Sequence, residues 1–197
     1  WLIRYMHANV ASMFFIGWIA WFASSYHLPL WSREGLWFIT ALLTLGAAWI
    51  VIRGRAAFVG FLRARWRLLL TLEALSAVLF VLFVAIRVSN PDLWTTGFGG
   101  EKPMDFAYFN GVLRSTVFPP IDTWHAGGYL NYYYFGFVVV GVPVLMFGVI
   151  PSIAYNLIVP TIAAAVGVGT FSAAFSIVNA LKRTDSHGVR RTLGNPY

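Results

Sequence analysis

Cysteine is absent from this 197-residue sequence, and charged residues make up only 11% of it. The lack of cysteine excludes disulfides, thiolate metal sites and cysteine nucleophiles. A charged fraction of 11% is far below the roughly 25% that is typical of soluble domains. The sequence also lacks a glycine-rich nucleotide loop, a serine-histidine-aspartate set and a histidine pair at metal-ligand spacing. These absences exclude a cytosolic nucleotide enzyme.

Long apolar runs dominate what remains. Hydrophobic residues make up 59% of the chain, and the mean hydropathy is +0.71. The net charge of +7 comes largely from arginines beside apolar runs, where they set membrane topology and contact anionic lipid. We therefore predict an integral membrane protein whose partners include membrane lipids and do not include nucleic acid.

The apolar runs predict an all-α fold, a polytopic transmembrane helical bundle that forms a single membrane domain over residues 1–197. Pro160 is expected to kink or divide the last of its helices. About five spans are expected, at 8–31, 36–52, 66–88, 131–149 and 152–181.

Five arginines lie between Arg53 and Arg67, as expected for a short cytoplasmic loop on an anionic leaflet. Alternation then places a polar loop, residues 89–130, on the outer face of a multi-pass protein of the plasma membrane. The same alternation puts the basic C-terminal tail outside, against the positive-inside rule. Either one of the last two segments does not fully cross, or a further span follows residue 197.

Glu73 is the one carboxylate inside a predicted span. Seven residues beyond Trp66, it would lie roughly 10 Å below the membrane surface, where a carboxylate must be paired or protonated. Two interpretations stay open: a hydrogen bond between packed helices, or a functional role in a cavity.

The interval from Asp92 to Tyr134 holds four of the seven carboxylates and therefore most of the available chemistry. Pro91 ends the third helix, because the residue before a proline is pushed out of the helical region. Lys102 and Pro103 then begin a short helix, and apolar residues at helical spacing from 104 to 115 predict that it lies in the membrane interface.

Asp92, Glu101 and Asp105 fall within fourteen positions of each other at this boundary, and we take them as the candidate catalytic residues. Asp105 and Glu101 could hold Mg²⁺ or Mn²⁺, since both ions prefer oxygen ligands. A carboxylate could equally act as a general base toward an attacking hydroxyl. The alternative for Asp105 is structural, because an acid in the first turn of a helix complements the helix dipole.

The remaining polar side chains of the interval are candidates for substrate binding. Consecutive tyrosines are expected to point in three directions around a helix, either as an interfacial aromatic belt or with hydroxyls that position a phosphate or a sugar. A histidine beside a tryptophan is weak evidence by itself. The candidates are Lys102, Arg114, Asp122, His125, Tyr132, Tyr133 and Tyr134.

Several motifs in this order resemble the YYY-type multispanning membrane proteins, a family named for its tyrosine triplet. The resemblance covers about residues 73–160, and its most specific blocks are EKPMD and NYYY. The motifs are Glu73, Arg87, Asn90-Pro91-Asp92, Gly100 to Phe106, Arg114-Ser115, Phe118 to Asp122, Gly127-Gly128, Asn131 to Gly136 and Tyr155-Asn156-Leu157.

That family is similar to the C-class membrane glycosyltransferases, which take sugars from polyprenyl-phosphate carriers and have an acidic motif in the first large outer loop. The resemblance implies that Asp105 is the loop acid, with Glu101 and Asp92 next. It implies that Lys102 or Arg114 neutralises the leaving lipid phosphate. It also matches Pro119-Pro120 and the three tyrosines to the segment by which such loops re-enter the membrane.

C-class enzymes are usually far longer, with more spans and often a second acidic loop. The resemblance therefore implies that this chain is an N-terminal or other partial piece, and that it is not active by itself. The alternative is a non-catalytic membrane subunit, a scaffold or a transport component built around Glu73 and the outer loop.

Overall fold

A computed structural model describes the backbone of residues 2–90 and 101–193 and the side chains of residues 13–90 and 101–181. Asp92 lies outside the described residues. Within the described part, the chain forms helices joined by short connections and one isolated antiparallel bridge, between Ile121 and Tyr129. The predicted all-α membrane fold is confirmed. The helices are α1 (Leu2–Ser25), α2 (Arg33–Arg53), α3 (Arg55–Ser89), α4 (Lys102–Arg114), α5 (Tyr134–Phe147) and α6 (Pro151–Leu193).

Three of the described helices are long and apolar enough to cross a membrane: α2, α3 and the part of α6 up to Leu181. Helix α5 is apolar but has only 14 residues. At 1.5 Å per residue it is about 21 Å long, which is shorter than the roughly 30 Å hydrocarbon core. This length favours the alternative in which one of the last two segments does not fully cross.

One local expectation is wrong. The arginine-rich segment from Arg53 to Arg67 is not a loop, because only Gly54 interrupts the helices and α3 begins at Arg55. At Pro160, which is fully buried inside a continuous helix, division of α6 is excluded and a kink stays a prediction. Membrane helices tolerate an internal proline where neighbouring groups satisfy the freed backbone carbonyl.

Helices α1, α2, α4 and α5, together with residues 115–133, form what we call the packed body. Its core contains buried side chains from every one of these elements, including Leu36, Val112, Phe118 and Val142. The short polar turn after α1 makes α1 and α2 neighbours, as the sequence predicts. The polar interval is therefore built into the core of the protein rather than attached to its surface.

Trp31 connects the first two helices of the packed body to α4. Its indole Nε1 donates a 2.8 Å hydrogen bond to the carbonyl oxygen of Val112, and its backbone N–H donates to Oγ of Ser24 at 2.9 Å. Its ring meets that of Phe118 edge-on, with 5.5 Å between ring centroids. Both polar groups of this buried residue are thus satisfied, and they fix the position of α4.

Helices α3 and α6 form a second unit, which we call the long pair. They contact each other along most of their described length, but the buried side chains between them are few, with Leu72 and Val168 at the centre. A further cluster around Phe109, Val144 and Ala154 joins α4 and α5 to the start of α6. Helix α4 consequently lies at the junction between the packed body and the long pair.

Candidate functional site

Asp105 lies in the first turn of α4, as predicted, and its side chain is half-buried. Burial raises the pKa of Asp105 above its ordinary value of 3.8, and the nearby charge of Glu101 raises it further. Both effects disfavour the carboxylate form. A carboxylate whose pKa is raised toward neutrality is a stronger base than an exposed one, which suits it to accept a proton.

Glu101 occupies the N-cap position of α4, where it is exposed and makes no side-chain capping hydrogen bond. Its carboxylate is close enough to Asp105 to repel it electrostatically. The structure thus brings together two of the three predicted acids. The structural alternative for Asp105, that it complements the dipole of α4, agrees with the same position and does not exclude the chemical role.

Three side chains from the long pair adjoin this end of α4. The ring of Tyr155, in the second turn of α6, meets the ring of Phe106 edge-on at 5.4 Å. Tyr155 is also within electrostatic reach of both Asp105 and Arg87. Arg87 Nε donates to Asn156 Oδ1 at 2.7 Å, and its Nη1 donates to the carbonyl oxygen of Asn90 at 2.9 Å. A guanidinium held by two hydrogen bonds and the carboxyl group of Asp105 therefore both act electrostatically on Tyr155.

Tyr108 is buried one turn further along α4. Burial raises its pKa, and the charges of Asp122, Tyr132 and Asp105 raise it further, in that order. These acidic groups therefore gather around one phenol. The tyrosine side chain stays neutral at physiological pH and can donate a hydrogen bond.

Asp122 has a local structural function. Its Oδ1 accepts hydrogen bonds from the backbone N–H groups of Trp124 at 2.8 Å and His125 at 3.0 Å, which is the geometry of an Asx turn. The backbone of Asp122 pairs with Gly128, so residues 121–129 form a short hairpin-like loop. The His125 side chain is exposed on this loop.

The tyrosine triplet differs from its expectation, because it is not part of one helix. Tyr133 precedes α5 in a left-handed conformation with φ of 41° and is 80% exposed, and Tyr132 is exposed beside it. Tyr134 begins α5, where its hydroxyl accepts a 3.0 Å hydrogen bond from Trp21 Nε1 and its ring stacks on Phe118. Tyr134 thus supports the packed body, whereas Tyr132 and Tyr133 face outward.

The two predicted cations lie at opposite ends of α4. Lys102 is the first residue of the helix and is half-buried, close in sequence to both acids. Arg114 is in the last turn, where it lines an open cavity of about 600 Å³ together with His27, Ser115, Thr123 and Tyr129. Nine residues separate Asp105 from Arg114, or about 13.5 Å along the helix axis. The structure does not group Arg114 with the candidate acids.

No three histidine, aspartate or glutamate side chains converge to hold a metal ion among the described residues. Asp105 and Glu101 supply two neighbouring carboxylates. Mg²⁺ is commonly held by one or two carboxylates together with substrate phosphates and water. The acid pair therefore fits a cation that a phosphate-bearing substrate helps to bind.

Glu73 lies on an exposed face of α3, far from these groups. Fourteen residues separate it from Arg87, which corresponds to about 21 Å along the helix. It therefore belongs to a different part of the long pair.

Sequence reasoning did not propose Arg87, Tyr155 or Asn156 as site residues. All three residues enter the sequence analysis only as motifs of the family resemblance. An asparagine one turn into a membrane helix was the available signal, since such a side chain needs a hydrogen-bond partner.

Comparison with known proteins gives one match. Neither a curated protein nor a solved structure matches the chain. Residues 15–194 match the model of a family described as uncharacterized membrane protein (DUF2298). With its candidate membrane-spanning helices, this match identifies a multi-pass membrane protein. The chain belongs to the DUF2298 family of membrane proteins.

Proposed function

We propose that this chain is the acid-bearing part of a C-class membrane glycosyltransferase, which moves a sugar from a polyprenyl-phosphate donor to an acceptor hydroxyl at the outer membrane face. The observation that carries the proposal is the environment of Asp105. It lies in the first turn of α4, half-buried, with a raised pKa, beside a second acid, and it shares the electrostatic neighbourhood of Tyr155 with the guanidinium of Arg87. A base and a cation that both act on one side chain suit transfer from a phosphate ester.

The proposed reaction is a displacement at the anomeric carbon. The acceptor oxygen forms a bond to that carbon while the bond from the carbon to the phosphate oxygen breaks. The electron pair of the broken bond stays on the polyprenyl phosphate, and the acceptor proton passes to the carboxylate of Asp105. Glu101 keeps the affinity of Asp105 for that proton high.

A divalent cation, if bound, would neutralise the donor phosphate, and Asp105 and Glu101 would be its protein ligands. The two roles of Asp105 are separable. A base is needed whether or not a chelator is present, whereas a ligand role requires that chelation abolish transfer.

The test is release of polyprenyl phosphate from a set of polyprenyl-phosphate-linked hexoses and pentoses, measured in membranes that contain the whole enzyme of which this chain is proposed to be the acid-bearing part. Asp105→Asn should lower the rate at least about 100-fold, because general-base catalysis contributes typically 10²–10⁴-fold. Glu34→Gln is the matched control, since it removes a carboxylate in the first turn of α2.

Equal rates in the Asp105→Asn variant and the native protein would remove Asp105 from the mechanism. No release from any member of the set would favour the alternative, a non-catalytic subunit, scaffold or transport component. For both variants, Asp105→Asn and Glu34→Gln, gel filtration and circular dichroism check that the protein is folded.

A further inference from the structure

The ends of α3 and α6 enclose a crevice of about 280 Å³ that the sequence did not indicate. Its walls are apolar side chains from both helices, namely Val84, Val88, Ile153 and Leu157. Arg87 and Asn156 supply polar groups of its lining. An apolar slot with a single guanidinium has the chemistry of a site for a lipid chain that ends in an anion.

The guanidinium is held in a fixed orientation. Asn156 Oδ1 accepts from its Nε, and Asn156 is itself oriented because its Nδ2 donates to the carbonyl oxygen of Ser152 at 2.8 Å. The bonds to Asn156 and Asn90 use two of the five donor hydrogens of a guanidinium. A planar donor held in place in this way can present a fork to two oxygens of a phosphate.

The size of the crevice limits what can occupy it. A volume of about 280 Å³ is at the lower end of the roughly 300–1,000 Å³ of small-molecule sites. It has room for part of one hydrocarbon chain and its phosphate. The branched side chains of valine, leucine and isoleucine also suit the branched surface of an isoprenoid chain.

We propose that this crevice binds the phosphate end of a single-chain polyprenyl phosphate, with Arg87 on the phosphate, Asn156 as the positioning residue for Arg87, and Val84, Val88, Ile153 and Leu157 along the chain. The inference deepens the proposed function and rests on it for the identity of the lipid. It replaces Lys102 and Arg114 as the expected phosphate-binding cations. It also places the donor phosphate at Arg87, which acts electrostatically on Tyr155 as Asp105 does.

The experiment measures equilibrium binding of radiolabelled geranylgeranyl phosphate to the purified protein in phosphatidylcholine nanodiscs. Arg87→Gln should weaken binding roughly 10- to 100-fold, which corresponds to the loss of charge-assisted hydrogen bonds to the phosphate. Arg63→Gln, an equivalent change at an exposed arginine of the same helix, should leave binding unchanged.

A second pair of variants tests the apolar wall without altering charge. Ile153→Trp fills the crevice and should weaken binding at least about tenfold. Ile162→Trp is its control, because Ile162 is equally exposed on the same helix and outside the crevice. The Ile153 and Ile162 variants keep the test decisive if Arg87→Gln does not fold. Arg87→Lys should bind with intermediate affinity, because lysine keeps the positive charge but lacks the forked pair of N–H donors of a guanidinium.

Competition with unlabelled probes identifies what is recognised. Unlabelled geranylgeranyl phosphate should compete, whereas geranylgeraniol and inorganic phosphate should compete weakly, because each lacks half of the ligand. Phosphatidic acid that competes as well as the isoprenoid would overturn the single-chain assignment, and so would geranylgeraniol that competes equally well. Unchanged binding in both Arg87→Gln and Ile153→Trp would overturn the site.

The outcome is separable from that of the proposed function. Binding that depends on Arg87, in a protein that transfers no sugar, would keep the crevice and remove the transferase. Sugar transfer that depends on Asp105 but not on Arg87 would support the transferase and overturn the crevice as the phosphate site.

Discussion

The packed body and the long pair use the same apolar residue types but are stabilised differently. In the packed body, side chains from four helices and a loop interlock, and buried indole and hydroxyl groups hydrogen-bond between elements. In the long pair, α3 has one fully buried side chain, Leu72, although the helix has 35 residues. The first unit is constructed like the core of a soluble protein, and the second presents most of its surface outward.

The difference in packing between the two units bears on where a site that includes Asp105 and Arg87 can form. Helix α4 needs precise placement, and the packed body provides it through Trp31 and Phe109, both buried. A lipid needs access from the side, and the long pair leaves an open crevice at the ends of its helices. The proposed base, Asp105, and the proposed phosphate-binding cation, Arg87, both lie near this junction, where both act electrostatically on Tyr155.

The largest expected effect is at the centre of the packed body. Trp31→Ala removes a buried ring and leaves the Val112 carbonyl without its indole donor, so it should destabilise the protein by about 3–5 kcal/mol. Trp49→Ala in α2 is the control, since that ring is 55% exposed, and it should cost less than about 1 kcal/mol. Thermal unfolding in detergent measures both, and equal losses would contradict the assignment of Trp31 to a tightly packed core.

The second prediction concerns the close approach of the α1–α2 connection to α2. A Cβ added at Gly35 would lie 2.5 Å from the carbonyl oxygen of Leu30, which is backbone and cannot turn aside. Gly35→Ala should therefore destabilise the protein by about 1–3 kcal/mol. Gly46→Ala has open space around it and should be neutral or stabilise α2 by up to about 1 kcal/mol. A stable Gly35→Ala protein would show that the connection is not tightly packed.

The third prediction tests the long pair. Leu72→Ala should cost about 1–2 kcal/mol, which is less than the 2–5 kcal/mol of soluble cores, because helices in lipid associate mainly by van der Waals packing. Leu82→Ala on an exposed position of α3 should have no measurable effect. The measurement is unfolding by a denaturing detergent in mixed micelles. A loss as large as that of Trp31→Ala would mean that α3 and α6 form a second tightly packed core.

Much of this arrangement follows from sequence, and the remainder depends on contacts between distant segments. The end of α3 at Ser89 and the start of α4 at Lys102 follow from local rules, since Pro91 and Pro103 restrict the backbone beside them. Asp105 was likewise placed correctly in the first turn of α4. Local rules failed for the arginine-rich segment, because arginine is also a good helix former and only Gly54 breaks the helix.

The candidate site was only partly predictable for the same reason. Asp105 and Glu101 are four residues apart, so one turn of helix brings them together. Arg87 and Asn156 are 69 positions apart, and their hydrogen bond exists only because α3 and α6 pack side by side. No spacing rule within one helix connects them. The prediction that the three tyrosines belong to one helix is wrong, because Tyr133 takes a left-handed conformation before α5. The sequence rules did not anticipate that conformation.

The smallest expected effect is at the junction and concerns the titration of Asp105. Its raised pKa means that the folded protein binds this proton more tightly than the unfolded chain does. The resulting stability is fully present below the ordinary pKa of 3.8 and is lost as the pH rises through the raised value. Glu101→Gln removes the repelling charge and therefore lowers the pKa of Asp105. The stability that Asp105 contributes should then decrease less as the pH rises.

The effect should be a small change of slope, because Asp105 is only half-buried and solvent screens the interaction. The measurement is the unfolding midpoint against pH, with a chelator present so that no divalent cation contributes. Since Glu101 also titrates, the decisive comparison is made in the Asp105→Asn background, where Glu101→Gln should change the slope less than it does in the native protein. An equal change in both backgrounds would mean that Glu101 acts on the fold directly and that the two acids at the start of α4 do not work as a pair.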